Sequence, residues 1–276
     1  MALAWKVQRV CAVWFSPTGG TRRLTETLAD LLAAALGVTR RDVDFTLPPA
    51  RDRSYEFAPA DLVVFGMPTY AGKLPNLLLP YVGAGFSGGG AMAVPLVTFG
   101  NRGFDNALAE LSACLKETGF SPMAGGAFVA RHVFSKTLAA GRPDARDLAA
   151  LSAFGAAILQ KLRTAEAPGE AIVPGDAAAP YYTPLGTDGA PVKFLKTKPK
   201  TDAARCNGCG VCAAVCPMGA IDPAAASEVP GICIKCHACI RHCPQSAKYF
   251  DDPAFLSHRQ MLEETYGRRA EDRWFL

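Results

Sequence analysis

Five apolar stretches alternate with helical patterns over residues 1–165. Val7–Phe15, rich in valine and aromatics, reads as a buried strand. Val43–Leu47 reads as a short second strand and Asp61–Met67 as a third, nearly all apolar, as a strand covered on both faces must be. Ala91–Phe99 and Gly126–Ala130 supply a fourth and a fifth. Between them, Leu24, Leu28, Leu31, Leu32 and Ala35 recur at helical spacing and stop at Gly37. Pro75–Val82 predicts a short helix. Leu108, Leu111 and Leu115 predict a helix over Phe104–Glu117, and Leu148, Leu151, Ile158 and Leu162 another over Asp144–Leu162. Strand–helix alternation argues a doubly wound α/β sheet of five parallel strands, for which the order 2-1-3-4-5 suits this length.

In such a sheet a ligand sits beyond the carboxyl ends of the strands, where the strand order reverses. The loops after strands one, three and four are the most distinctive of this region. After strand one come Ser16, Thr18, Gly19, Gly20 and Thr21, hydroxyls and glycines leading into a helix. Its backbone N–H groups and dipole favour an anion such as a phosphate, and a capped helix start without a ligand is the plainer reading. After strand three come Pro68, Thr69, Tyr70, Ala71, Gly72 and Lys73, where a fixed aromatic can stack on a flat ring. After strand four come Phe99, Gly100, Asn101, Arg102, Gly103, Phe104 and Asp105, small residues that admit close approach beside an arginine. Singly each is ordinary turn chemistry. Together, at the switch point, they argue a bound flavin mononucleotide. Gly83-x-Gly85-x-x-Gly88 matches a dinucleotide fingerprint in spelling only. It joins a helix to a strand, the reverse of the real motif, and reads as a flexible loop.

Eight of the 10 cysteines fall in the next unit. Cys206-x2-Cys209-x2-Cys212-x3-Cys216-Pro217 is repeated as Cys233-x2-Cys236-x2-Cys239-x3-Cys243-Pro244. This is the bacterial spacing for two [4Fe–4S] clusters, in which three cysteines wrap one cubane and the fourth reaches the other. One cluster then takes Cys206, Cys209, Cys212 and Cys243, and the other takes Cys233, Cys236, Cys239 and Cys216. Zinc prefers paired C-x2-C or histidine, and disulfides need an oxidising compartment, so neither fits this run. Arg205, Lys235, Arg241 and Lys248 flank the motifs and offset the charge of thiolates and clusters. Few large apolar residues lie here, so this unit is expected to fold poorly without iron and sulfide. Cys11 and Cys114 read as buried, unreactive thiols.

The cysteine run resembles two-cluster bacterial ferredoxins, and Ser16–Thr21 is similar to the phosphate loop of flavodoxins. With Pro68–Pro75 and Gly100–Leu108 the chain resembles the EFR1 family of flavodoxin–ferredoxin fusions. The resemblance implies a flavodoxin-like domain over 1–165, a linker over 166–200, a small α+β bacterial ferredoxin-like domain over 201–252 and FMN with two [4Fe–4S] clusters. It implies no single substrate. Gly20 stands where many flavodoxins carry Asn, and Phe99 where related proteins often carry Tyr. Residues 253–276 read as a C-terminal helical tail, with Leu256, Met261, Leu262 and Tyr266 packed on one domain as the first reading and a dimer contact as the second.

A net charge of +4 from 29 basic and 25 acidic residues carries no nucleic-acid signature, and no apolar run reaches membrane-spanning length. Val10–Phe15 is too short for a signal-peptide core, so a cytoplasmic protein is expected. The leading functional reading is electron transfer between two clusters and FMN, with a ferredoxin or similar redox protein, or a small acceptor, as partner. The alternative is a two-cluster carrier or binding module with a flavin-free scaffold. A third reading is a reductase whose substrate would meet Tyr70, Arg102 and His132; no catalytic acid, base or nucleophile has a constellation behind it. Lys193, Lys196, Lys198 and Lys200 read first as a solvated face and second as a dock for an acidic redox partner. His237 and His242, between cluster ligands, read first as surface histidines.

Overall fold

The computed structural model describes residues 7–164 and 169–276, so the first six residues of the expected first domain, and the junction at 165–168, lie outside the described residues. Five parallel strands form the centre: β1 (Arg9–Trp14), β2 (Thr39–Asp44), β3 (Asp61–Pro68), β4 (Met92–Phe99) and β5 (Gly125–Val129). They lie side by side as β2-β1-β3-β4-β5, the expected flavodoxin-like order. In register, Val13 of β1 sits across from Val43 of β2 and Phe65 of β3. β1 sends Val10, Ala12 and Trp14 to one face and Cys11 and Val13 to the other, and both sets are buried. That two-sided burial is why these strands read as continuous apolar runs.

Helices α1 (Gly20–Leu36) and α3 (Ala145–Thr164) cover the first face through Leu24, Leu28, Leu32, Phe154 and Ile158. Helix α2 (Ala107–Glu117) covers the second through Leu108, Leu111 and Leu115. Gly66 on β3 admits α1 closely, because a Cβ there would collide with Thr25 Oγ1. Thr21 and Thr98 share a buried hydroxyl–hydroxyl hydrogen bond of 2.7 Å, which joins the start of α1 to β4. Burial pushes the Cys11 and Cys114 thiols up to about 11, which keeps both protonated; Cys11 is buried as expected, whereas Cys114 is half-buried.

Three elements differ from the sequence reading. β2 begins at Thr39, not Val43: it is an edge strand of charged residues in which Val43 alone is buried, so it carries no apolar run. The helix expected at Pro75–Val82 is a 3₁₀ turn, Asn76–Leu78, followed by a helix over Leu79–Ala84. Leu31, counted on the apolar face of α1, is 38% exposed. The glycine decoy closes a short parallel pair, Tyr55–Glu56 with Phe86–Ser87, and Gly88 packs directly on the backbone of Gly119.

The largest correction is the C-terminus. Helix α4 (Pro253–Thr265) is capped by Asp252, whose carboxylate accepts the Phe255 N–H at 2.9 Å. The chain then leaves the helix and returns as β6 (Arg273–Phe275), antiparallel to β5 at the sheet edge. Asn101 holds the turn: its Nδ2 donates to the carbonyls of Tyr266 (2.5 Å) and Arg268 (2.7 Å), and its Oδ1 accepts the Ala270 N–H (3.1 Å). Arg142, itself buried, bonds Asp147 and donates to the Ala270 carbonyl at 2.6 Å, while Arg269 reaches Asp147 at 2.6 Å. Asp272 accepts the Val129 N–H at 2.7 Å. Removing the fully buried Asp147 carboxylate leaves two guanidinium groups without their shared partner. We expect Asp147→Ala to lower unfolding free energy by about 3–5 kcal/mol in chemical denaturation.

Candidate functional site

The two cysteine motifs adopt the same backbone path. Each makes one helical turn after its second cysteine, Val211–Ala214 and Ala238–Arg241, and each reaches it through left-handed residues at matching positions. Gly208 (φ 72°) and Gly210 (φ 71°) correspond to Lys235 (φ 57°) and His237 (φ 62°). The symmetry extends past the fourth cysteine. The N–H of Ala220 donates to Cys216 Sγ at 3.3 Å, and that of Ala247 to Cys243 Sγ at 3.2 Å.

Two recesses result. Cys206, Cys209, Cys212 and Cys243 line one, together with Lys248. Cys216, Cys233, Cys236 and Cys239 line the other, together with Ile221. Each motif therefore gives three sulfurs to one recess and its fourth to the other. Among the described residues no three His, Cys, Asp or Glu side chains converge on a point as a single-ion site requires; the sulfurs ring the recess instead. Burial pushes the Cys239 thiol up to about 12 and raises Cys236 and Cys233 as well. Buried sulfurs of this kind become thiolates only beside a cation, which an iron–sulfur cluster supplies. At Cys243 burial raises the thiol, but N–H groups of Ala247, Gln245, Lys248 and Ser246 more than offset it and favour the thiolate. The donor set and its N–H···S bonds fit a [4Fe–4S] cubane in each recess.

The flanking cations serve first as stitches. Lys235 Nζ donates to the carbonyls of Leu195 (2.7 Å) and Cys233 (3.2 Å), and Lys248 Nζ to that of Ala226. Arg241 donates to the carbonyls of His132, Val133 and Ser135, the nearest at 2.9 Å. Arg205 pairs on the surface with Asp202. His237, expected at the surface, is buried: it stacks on Phe250 at 5.0 Å and lies 5.0 Å from Phe134, with Nε2 unpartnered. His242 is exposed.

The second recess borders the sheet layer. Met218 and Ile234, two of its lining residues, pack against the α2-side core, and Arg51 donates to the Pro217 carbonyl. The loop after β3 meets it there. Burial, with Cys236 and Cys233 close by, raises the Tyr70 phenol well above its ordinary range. Tyr70 is closed into a tight turn by its paired backbone bonds to Lys73, and Ala71 (φ 48°) and Gly72 (φ 78°) complete that turn.

Around the sheet's carboxyl edge, Gly19 (φ 87°) precedes α1 and the Arg22 N–H donates to Ser16 Oγ at 2.9 Å. The N–H groups of Thr18, Gly20 and Thr21 have no partner among the described residues. The Thr69 hydroxyl is buried and unpartnered. Free N–H groups at a helix start and an orphaned hydroxyl suit an anionic ligand that supplies acceptors. Other expected contacts turn elsewhere. Thr21 Oγ1 is taken by Thr98, and Phe99 and Phe104 pack in the core 5.6 Å apart. Lys73 is buried in an ion pair with Glu110 at 3.0 Å and donates to the carbonyls of Ala177 and Ala179 at 2.8 Å. The Asn101 side chain holds the C-terminal turn. Arg102 pairs with Asp105 and lies 4.1 Å over the ring of Tyr182, a residue whose backbone N–H donates to the Ala71 carbonyl at 2.8 Å. His132 covers Gly100, where any Cβ would meet its ring.

Residues 198–244 match the family model of the 4Fe-4S dicluster domain. The dicluster domain thus spans both cysteine motifs. Among solved structures, the chain is similar to a flavodoxin from the domain Archaea: 15% identity, 56% of this chain and 99% of that one, TM-score 0.40. It is also similar to two-electron reduced flavodoxin from Megasphaera elsdenii: 16% identity, 54% of this chain and 98% of that one, TM-score 0.32. A third is the flavodoxin, WrbA-like protein from Agrobacterium tumefaciens: 18% identity, 56% and 98% coverage, TM-score 0.34. No curated protein matches the chain. No helix among the described residues is long and apolar enough to cross a membrane.

The crossed ligand sets have a measurable signature. We expect Cys216→Ala and Cys239→Ala each to cost about four irons per chain, and the double variant no more than either alone. Pairing Cys216→Ala with Cys209→Ala is expected to remove nearly all iron. Acid sensitivity follows from His132, held at about 4 by burial and by the nearby His258, Arg102 and Arg241. The folded state then binds fewer protons than the unfolded chain between about 4 and 6.5, so this contribution is present above 6.5 and lost as pH falls. We expect the urea midpoint to drop from pH 7 to pH 5, and His132→Gln to flatten that slope.

Proposed function

We propose that the chain is an iron–sulfur flavoprotein of the EFR1 type, which moves electrons between two [4Fe–4S] clusters and a non-covalent FMN. The observation that supports this reading is the seating of the second four-cysteine recess on the sheet layer, where its lining residues Met218 and Ile234 pack against the α2-side core. When bound, the clusters supply one-electron steps and the flavin one- or two-electron steps. The chain's own work is binding and exclusion of water. Thr18, Gly20 and Thr21 N–H groups would hold the phosphate, the Tyr70 and Gly100 loops would flank the ring, and the buried sulfurs of Cys236 and Cys239 would keep the second cluster dry. The donor would be an external ferredoxin or similar protein, and the acceptor a partner protein or small molecule. A single chain keeps both centres at high effective concentration, which favours internal over collisional transfer.

One observation favours a second reading, a two-cluster carrier on a flavin-free scaffold: the side chains of Lys73, Asn101, Phe99 and Phe104 are all engaged away from the crevice. Anaerobic purification followed by acid release of the cofactor separates the two. We expect about one FMN and about eight irons per chain; iron–sulfur absorbance with no releasable flavin would remove the first reading. Thr18→Asp sets a carboxylate beside the phosphate site and is expected to weaken FMN binding at least about tenfold while iron content holds.

A further inference from the structure

The segment Lys193–Lys198 lies beside the second recess and is held from beneath. Phe194 is buried against Phe255 at 5.6 Å, and the Thr197 N–H donates to the Phe194 carbonyl at 3.1 Å. The Lys235 ammonium binds the carbonyl of Leu195 and that of Cys233, so one buried cation ties this segment to a cluster-ligand loop. What the two strands of chain present outward is apolar. Leu195 is 85% exposed and Ile232, next to Cys233, is 69% exposed. Around them stand Lys193, Lys196 and Lys198, all exposed. Lys198 donates to the carbonyls of Val229 and Pro230, and none of the three forms an ion pair among the described residues.

Exposed leucines and isoleucines are common singly. Two of them on anchored backbone, beside a motif cysteine and flanked along the chain by three exposed lysines without an ion pair among the described residues, form an apolar centre with a charged border, the anatomy of a protein interface. We propose that this face is the docking site of an acidic electron-transfer protein. The proposal rests on the iron–sulfur part of the function above and names the partner's charge and its landing place. The Cys216–Cys233–Cys236–Cys239 set would hold the cluster that supplies the one-electron acceptor for the reduced partner, an exchange in which no bond is made or broken and no proton is transferred. The other route inward, past the exposed Cys209, offers no free surface cation among the neighbouring positions: Ala203, Ala204, Asn207 and Gly208 are exposed and uncharged, Lys248 of that recess is buried, and Arg205 is already paired with Asp202 at 3.3 Å. Steering and register of an acidic partner therefore favour the lysine face.

The test uses the full, cluster-loaded chain and, as probe, a reduced acidic plant-type [2Fe–2S] ferredoxin, whose spectrum separates its reoxidation from the chain's reduction. In anaerobic stopped flow the second-order rate is expected to fall with rising salt. Lys193→Gln with Lys196→Gln should lower it by about tenfold at low salt. Leu195→Ser with Ile232→Ser should slow it while leaving the salt slope in place. Ala204→Glu with Asn207→Glu makes the same change in net charge at the first recess and should leave the rate within about twofold. A rate untouched by the lysine changes, a rate independent of salt, or slowing confined to the Ala204 and Asn207 variant would each overturn the docking site. Iron content, checked for every variant, distinguishes those results from failure of the iron–sulfur reading. The reoxidation signal does not depend on whether the crevice holds flavin.

Discussion

The crossing of the fourth cysteine is the constraint on which the small domain depends. Because Cys216 closes the recess built by the second motif and Cys243 that built by the first, neither loop is complete alone. The buried apolar cluster beneath them amounts to Cys212, Ile221 and Cys239, two of which are cysteines of the motifs themselves. A core of that size offsets little of the conformational entropy of some fifty ordered residues, at about 1–2 kcal/mol each. Metal–sulfur bonds would supply the difference, and on the proposed reading formation of the clusters and folding of the unit would be one event.

What joins this unit to the sheet layer is of a different kind. The recurrent contact is a cationic side chain donating to main-chain carbonyls: Arg51 to Pro217, Arg241 to His132, Val133 and Ser135, Lys235 to Leu195 and Cys233. Carbonyls cannot titrate, so these bonds persist whatever charge the recess carries. They also place positive charge around an anionic thiolate set, which lowers the cost of burying it. The aromatic cluster of Phe134, Phe194, Phe250 and Phe255 fills the space between linker, dicluster domain and α4, and excludes water on that side.

The parts legible in the sequence were those fixed locally. A cysteine spacing is a covalent ruler, and a strand buried on both faces writes itself as an apolar run. The bounds of β2 and the whole of β6 escaped because each is fixed from a distance. β2 is a charged edge strand chosen by pairing with β1. β6 is three residues long, without a period to read, and its approach is held by distant residues: Asn101 and Arg142 bind Ala270, and the Val129 N–H donates to Asp272. The same distance effect redirected Lys73 and Asn101. As loop residues both looked available to a ligand. Glu110 on α2 and the linker carbonyls claim the first, and the C-terminal turn claims the second. His132 carries a local signal of its own, since it follows the end of β5 and its ring lies against Gly100 in the loop after β4.

The two halves of the cysteine run also show how one backbone can be used in two ways. Gly208 and Gly210 take left-handed geometry without steric penalty. Lys235 and His237 take nearly the same angles with side chains, at about 1–2 kcal/mol each. Glycine would relieve both positions but would remove what compensates the strain. The Lys235 ammonium would no longer bind Leu195 to Cys233, and the His237 ring would no longer lie between Phe250 and Phe134. His237 adds a further cost, since burial holds it neutral, near 3, with one ring nitrogen unpaired. Strain of this sort persists only where the surroundings over-determine it. The first motif is a free loop shaped for a cluster alone. The second is shaped for a cluster and for the layer, linker and helix packed against it.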